Sequence, residues 1–201
     1  MGEIMAMGVN HSERRHLVVT RAMSLFARMG YAKVSFLDIS EATGIARTAL
    51  YRYFKTKREI FDAAIHEITS EIKRDLEDIC KRKQSVTQRM MLACNRVIDA
   101  FYGRQAFFSV IYEFVFSMVR VGEDMTERID SFTGGFKVVL RQLVSEGVAD
   151  GELRQNVDPD DAAETLFALM ESMAFRLLLG VEKEPNHAKA RFAAMISALR
   201  D

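Results

Sequence analysis

The 201-residue sequence has no tryptophan, two prolines and two cysteines, and each shortage excludes a class of protein. With so few prolines, the long stretches of three- and four-residue apolar spacing predict a mostly helical chain, and no alternating stretch typical of a strand stands out. Cys80 and Cys94 are too few for a disulfide framework, and no Cys-x-x-Cys pair is present. We therefore expect an all-α protein of a reducing compartment.

Long hydrophobic runs are also missing. The most apolar stretch, residues 106–119, is interrupted by Glu113 and is too short to span a bilayer. Residues 1–10 lack the basic start and the long apolar centre of a signal peptide. These features predict a cytoplasmic protein without a membrane partner.

Patterns of catalytic and metal-binding residues are absent as well. The four histidines show no metal-ligand spacing. There is no Ser–His or Cys–His arrangement, no glycine-rich phosphate loop and no nucleophile elbow. We expect no metal, no cofactor and no enzymatic activity.

The formal net charge is zero, but the charges are unevenly distributed. Residues 1–66 hold ten Lys and Arg against six Asp and Glu, a net of +4. Residues 67–201 hold eighteen against twenty-two, a net of −4. A basic first segment followed by an acidic remainder is consistent with a nucleic acid bound by the first segment.

Residues 34–57 predict two short helices joined by a tight turn at Thr43-Gly44-Ile45. The Ser35 hydroxyl can cap the first helix, and Gly44 can adopt the left-handed conformation that ends it. Leu50 and Phe54, four residues apart, would pack the second helix against the first. The predicted outer face offers cations, a hydroxyl, a methyl group and phenols, which suit a DNA major groove. Its residues are Arg47, Thr48, Ala49, Tyr51, Arg52 and Tyr53.

Two segments, AMSLFARMGY (22–31) and DISEATGIARTALYRYFKTKREIF (38–61), resemble the DNA-binding domain of TetR-family transcriptional regulators. The family pattern has Leu-Phe, Gly-Tyr, Ile-Ala, Gly-Val-Ser, Leu-Tyr, a Phe and a Lys at these spacings. This chain has Ser40 where the family usually has Ala, Ile45 where it has Val, and Ala46 where it has Ser. Ala46 removes the usual side-chain cap from the second helix of the pair.

The resemblance implies an all-α fold of about nine helices in two domains. Residues 1–55 would form an N-terminal tail (1–10) and a three-helix helix-turn-helix domain whose first helix runs from about His11 to Met29. Residues 56–201 would form a larger helical domain for effector binding and dimerisation. A capping box at Thr56–Glu59 predicts a long link helix over about 56–82. Gly134 and Gly135 are a possible interruption of a later helix.

The resemblance also indicates how the second helix would contact DNA. The base-reading candidates are Arg47, Thr48, Ala49 and Tyr51. The phosphate candidates are Ser35, Tyr53 and Lys57. Alternatively, Tyr51 serves packing and Arg47 is simply solvated.

The remainder of the chain is rich in phenylalanine and methionine, and the resemblance implies a pocket there for a small apolar or amphipathic effector. The candidate lining residues are Met91, Phe101, Phe108, Tyr112, Phe116, Phe136 and Met170. Aromatic and Met residues at helical spacing also describe an ordinary core. Arg96, Glu113 and Arg176 are charges within apolar helices, and each either anchors a polar effector group, lies on a solvated face or forms an ion pair.

The helix predicted from Pro159 to Leu179 is apolar almost all round, which one monomer core cannot easily cover. With the last helix, it is predicted to form a four-helix homodimer interface. The candidate residues are Leu166, Met173, Leu177, Phe192, Met195 and Leu199. The alternative is a helix at the centre of the monomer.

The sequence thus predicts a sequence-specific DNA-binding transcriptional regulator. The specific hypothesis is a homodimeric repressor that a small effector releases from a near-palindromic double-stranded operator. One alternative is a DNA-binding regulator or architectural protein without an effector pocket. Another is a small-molecule carrier or enzyme whose helix-turn-helix is vestigial.

Overall fold

The computed structural model describes residues 2–200, with side chains from His11 onward. The described residues form nine α-helices and no strand, which confirms the predicted fold class. The helices are α1 (Gly2–Met29), α2 (Phe36–Thr43), α3 (Arg47–Tyr53), α4 (Lys57–Cys80), α5 (Val86–Gly103), α6 (Gln105–Arg120), α7 (Thr126–Ala149), α8 (Pro159–Leu178) and α9 (Pro185–Ser197).

The chain forms two compact units. The first runs to Ile68 and includes Ser109–Glu123, while the second contains Thr69–Phe108 and the chain from Asp124 onward. Helices α4 and α6 therefore each contribute residues to both units. This division does not coincide with the boundary predicted between residues 55 and 56.

Two local predictions differ from the structure. Helix α1 begins at Gly2, so the tail predicted over residues 1–10 is helical from its second residue. The segment contains no proline, and Glu, Met and Ala are good helix formers. Helix α7 also continues through Gly134 and Gly135 without interruption. Glycine weakens a helix without ending it, and the buried residues that follow hold α7 in place.

The first unit is built around a cluster of four aromatic rings. Phe26 of α1, Phe61 of α4 and Phe114 of α6 are fully buried or nearly so, and Tyr31 lies between them. Neighbouring ring centroids are 4.6 to 6.2 Å apart, in tilted or edge-on arrangements that favour aromatic pairing. This cluster packs α1, α4 and α6 together. These three helices form a frame that supports α2 and α3.

The second unit packs α5 against α7 and α9, and α7 against α8. Its core includes Met90 and Ile98 of α5 together with Leu140 and Leu143 of α7, all fully buried. The Asp158 carboxylate accepts hydrogen bonds from the first backbone N–H groups of α8, as the Asp-Pro pair predicts.

Within one chain, four of the six candidate dimer residues are core residues of this unit, and an interface formed by the six stays a prediction. Leu166, Met173, Leu177 and Phe192 are each less than 5 % exposed within one chain. The reason is that α8 packs on α7 through one side, and α9 packs on α5 through Ala188, Phe192 and Ile196. Leu199 is half-buried, and only Met195 is exposed.

The two arginines that were either effector anchors or ion-pair partners form ion pairs. Arg96 bonds Glu71 and Asp75 of α4, with N–O distances of 2.8 and 2.5 Å. Arg176 lies 3.8 Å from the buried Glu182 carboxylate, which also pairs with Arg191. Arg104 bonds Glu71 as well, and this bond is the main cause that lowers the pKa of Glu71. These arginines fasten helices of the second unit to each other.

Substitution of Gly147 by Ala should destabilise the protein by about 1–3 kcal/mol, because an added methyl group overpacks a filled core. A Cβ at Gly147 would lie 2.8 Å from two Leu153 side-chain carbons and 3.2 Å from Val86. The matched control is Gly135→Ala in the same helix, where a Cβ would meet nothing within 4 Å. It should stabilise by roughly 0.5–1 kcal/mol, since alanine favours helix. Urea unfolding of both variants measures the difference, and equal effects would contradict the packing argument.

Candidate DNA-binding site

The sequence predicts that Ser35 caps α2, and the structure shows a complete capping box there between Ser35 and Asp38. The Asp38 backbone N–H donates to the Ser35 hydroxyl oxygen, and the Ser35 backbone N–H donates to the Asp38 carboxylate at 2.7 Å. These hydrogen bonds lower the pKa of Asp38, the bonds from the Ser35 hydroxyl and backbone being its largest causes. Gly44 ends the helix with φ +67°, the left-handed conformation that glycine adopts without strain.

The turn after α2 is held by two hydroxyl groups. Ser40 Oγ donates to the Ile45 carbonyl at 2.7 Å, across the turn. Thr43 Oγ1 donates to the Ile39 carbonyl at 2.7 Å and accepts from the Ile45 N–H at 3.3 Å. The bond from Ser40 fixes the Ile45 carbonyl and the bond to Thr43 fixes the Ile45 N–H, immediately before α3.

Helix α3 has only seven residues and starts without a side-chain cap at Ala46, as the sequence indicates. The Ala46 carbonyl accepts from the N–H groups of Ala49 and Leu50 at 2.8 and 3.0 Å. Leu50 is fully buried, and Phe54, which follows the helix, is 2 % exposed. These two apolar anchors orient the helix so that its opposite face points to solvent.

The solvent face of α3 presents the base-reading candidates unequally. Arg47 and Thr48 are exposed, whereas Ala49 is half-buried. The Tyr51 ring is 37 % exposed and stacks on the Phe36 ring, with centroids 4.9 Å apart and planes 6° apart. One face of Tyr51 is therefore used in packing, which leaves its other face and edge accessible.

The side chains of two of the three phosphate candidates, Lys57 and Ser35, form hydrogen bonds within the protein, and Lys57 forms the most. The Lys57 ammonium donates to the carbonyls of Tyr31, Ala32 and Val34 at 2.7, 3.2 and 2.9 Å, which uses all three of its N–H groups. Burial lowers the pKa of this ammonium. Lys57 thus fastens the start of α4 to the segment between α1 and α2, and its contact with a phosphate stays a prediction.

The other two candidates differ in how free they are. The Ser35 hydroxyl is exposed but is occupied by the capping box, where it also donates to Asp38. The Tyr53 ring is half-buried against the His11 ring, with centroids 4.8 Å apart. Of the three, only Tyr53 has a side chain for which no hydrogen bond to the described part of the chain is seen.

Sequence reasoning missed two residues that shape this face. Phe36 is not among the residues that the sequence predicts for this site, although an aromatic residue at the first position of α2 can support a tyrosine on the next helix. Ser40 was noted only as a departure from the family pattern, and a hydroxyl five residues before Ile45 gives no regular helical spacing that signals its bond.

The candidate effector residues are divided between the two units. In the second unit, the Phe101 and Phe108 rings stack with centroids 4.0 Å apart. Phe136 and Met170 are buried core residues there, with Met91 and Phe101 packed against that core. Tyr112 and Phe116 belong to the first unit, where Phe116 is 55 % exposed. A pocket formed by these residues stays a prediction.

Within residues 2–200, no helix is long and apolar enough to cross a membrane. The described residues also contain no group of three or more His, Cys, Asp or Glu side chains that could hold a metal ion. The pKa of the buried Cys94 thiol is raised to about 12 by burial, which keeps it protonated.

Two family models match the sequence. Residues 18–64, which contain α2, α3 and the start of α4, match the model of bacterial regulatory proteins of the tetR family. Residues 120–192 match the model of a tetracyclin repressor-like C-terminal domain.

Full-length relatives and solved structures agree with both models. The chain is 19 % identical over 166 residues to the fatty acid metabolism regulator protein of Bacillus subtilis, covering 83 % of this chain and 84 % of that protein. A TetR transcriptional regulator from Chloroflexus aurantiacus superposes with a TM-score of 0.77 at 23 % identity, over 95 % of this chain and 98 % of that one. The regulator FadR from Bacillus subtilis, solved in complex with stearoyl-CoA, superposes with a TM-score of 0.72 at 17 % identity, over 92 % and 97 %. The similar structures show that the fold is shared, and the two family models, which together match more than half of the chain, show that it belongs to the TetR family of transcriptional regulators.

Proposed function

We propose that this regulator is a homodimeric repressor that binds a near-palindromic operator and is released by an amphipathic effector. The observation that carries the DNA-binding part is the exposed pair Arg47 and Thr48 at the start of α3, on a helix anchored from behind by Leu50 and Phe54. A short helix held in this way can enter a major groove with its N-terminal residues at the base edges.

Arg47 is the residue best suited to read a base. Its guanidinium is exposed, and it has no partner among the side chains that the structure describes from His11 onward. A planar guanidinium can donate two parallel hydrogen bonds to O6 and N7 of guanine. Tyr51 contributes an exposed edge in a fixed orientation because Phe36 supports its ring. Tyr53 and the exposed Arg52 are the neighbouring side chains for phosphate contacts.

The dimer proposal rests on the exposed side of α8 and α9 instead of the buried residues first predicted. Phe175 and Leu179 are 47 % and 62 % exposed, and Met195 of α9 is also exposed. Phe175 and Leu179 follow the small exposed residues Ala168 and Ser172 at four- and three-residue steps along α8 and its C-cap. A face of this kind is suited to pairing with a second copy around a twofold axis, which would carry two α3 helices to one operator.

The effector proposal is supported by relatives and composition. One relative is named as a fatty acid metabolism regulator, and one similar structure contains stearoyl-CoA. A long-chain acyl-CoA is amphipathic, and the second unit offers apolar, polarisable contacts for an acyl chain in the stacked Phe101–Phe108 pair and the half-buried Met91. An effector of this class must bind the conformer that releases DNA more tightly than the DNA-binding conformer.

Substitution of Arg47 by Ala should weaken specific binding by about 1–3 kcal/mol and relax the preference at one base position of each half-site. The probe is a duplex that the wild-type protein selects from a random-sequence pool. Fluorescence anisotropy with every single-base variant of that duplex gives the preference. The matched control is Arg52→Ala, an exposed arginine on the same helix, which should change affinity without changing preference. An unchanged preference in the Arg47 variant would remove Arg47 from the base-reading set.

Substitution of Phe175 by Glu should dissociate the dimer, because it would bury a carboxylate in an apolar interface. Sedimentation velocity measures the change as a shift towards the monomer. The matched control is Val138→Glu on α7, which places the same charge at a residue that is 60 % exposed but lies outside the proposed face. If both variants remain dimeric, the interface lies elsewhere.

Long-chain acyl-CoA should release the wild-type protein from its selected duplex and raise its melting temperature, since a ligand that binds the folded state stabilises it. Free coenzyme A should do neither at the same concentration, because the acyl chain supplies the apolar contacts. A protein–DNA complex that persists with every acyl chain length would contradict this effector class. If free fatty acids also failed to release the protein from DNA, the results would favour the alternative of a regulator without an effector pocket.

A further inference from the structure

The hydroxyl of Ser40 bonds the Ile45 carbonyl at the point where α3 begins, although Ser40 belongs to α2. The side chain is half-buried, and its bond of 2.7 Å crosses the turn that separates the two helices. Among the described residues, the Ile45 carbonyl receives only this hydrogen bond. The peptide that leads into the first residue of the recognition face is therefore held from α2.

This bond matters because α3 lacks the usual means of fixing its first turn. A capping side chain normally accepts a hydrogen bond from the second or third residue of a helix and so fixes where the helix starts. The Ala46 methyl group cannot accept a bond, and the structure shows no side-chain cap there. With seven residues, α3 also lacks the length that stabilises an isolated helix.

We propose that Ser40 is a positioning residue for DNA recognition, which replaces the missing cap of α3 and holds Arg47 and Thr48 in the orientation that reads bases. This inference rests on the proposed DNA-binding function and adds the residue that sets its geometry. The sequence shows the exchange directly. A hydroxyl stands at position 40, where the family pattern has alanine, and is absent at position 46, where that pattern has serine.

The bond acts on orientation more than on the presence of the helix. Leu50 and Phe54 remain buried whether or not the Ser40 hydroxyl is present, so they retain α3 on the domain. Without the hydroxyl, the Ile45–Ala46 peptide can rotate, and the exposed residues that follow it lose their fixed direction. Base contacts need correct orientation, whereas contacts to phosphates tolerate more displacement.

The experiment compares four full-length proteins: wild type, Ser40→Ala, Ser40→Thr, and the double variant Ser40→Ala with Ala46→Ser. The probes are the duplex that wild type selects from a random pool and a scrambled duplex of equal length. Ser40→Ala should bind the selected duplex about three- to tenfold more weakly, the value of one net hydrogen bond. Its affinity for the scrambled duplex should remain unchanged, because phosphate contacts dominate there.

The two rescue variants separate positioning from general damage. Ser40→Thr keeps the hydroxyl and should bind as wild type does. The double variant supplies a cap from position 46 and should recover most of the lost specific affinity. Amide hydrogen exchange adds a readout independent of DNA: in Ser40→Ala, the amides of residues 47–50 should exchange faster while those of α1 and α4 do not change.

The matched control is Ser24→Ala, which removes an exposed hydroxyl that donates to the Thr20 carbonyl within α1. It should leave both affinities unchanged. Equal losses for the selected and scrambled duplexes in Ser40→Ala, or no recovery in the double variant, would overturn the positioning role. A wild-type protein that selects no sequence from the pool would instead overturn the proposed function, so the two failures are distinguishable.

Discussion

A seven-residue helix without a side-chain cap is not stable alone, so α3 depends on the rest of the first unit for its stability. Helix α3 exists because buried Leu50 and Phe54 anchor it from behind, and because the turn before it is held through the Ile45 backbone. The frame behind these anchors is held in turn by the aromatic cluster and by the three carbonyl bonds of Lys57. Of the outward residues of α3, only Tyr51 and Tyr53 pack on other rings, and Arg47, Thr48 and Arg52 remain exposed.

A sequence predicts local structure well where one residue type satisfies one requirement of the backbone. The Ser35 cap, the left-handed Gly44 and the Asp158-Pro159 start follow from such rules, and the structure has all three. Lys57 shows where this reasoning stops. A lysine at the start of α4 beside a DNA-binding motif suggests a phosphate contact, but three carbonyls of a segment 23 to 26 residues earlier in the chain accept its N–H groups. Only the fold brings those carbonyls together.

The same limit applies to the effector candidates. Phenylalanine and methionine at helical spacing satisfy both a core and a pocket wall, since each requires apolar surface turned inward. The structure places Phe136 and Met170 in the core, stacks Phe101 on Phe108, and assigns Tyr112 and Phe116 to the other unit. The charged residues within apolar helices are explained only by the fold, which brings carboxylates within reach of Arg96 and Arg176.

Helix α8 shows why spacing alone could not identify an interface. The buried positions Leu166, Met170, Met173 and Leu177 advance by 4, 3 and 4 residues, and so do the exposed positions Ala168, Ser172, Phe175 and Leu179. Both stripes satisfy the helical period, so the periodicity identifies an apolar helix without stating which side faces the monomer. Packing on α7 resolves the choice, because a helix can present only one of these faces to its neighbour. The proposed dimer interface then depends on the second stripe, because the first stripe packs within the core of one chain.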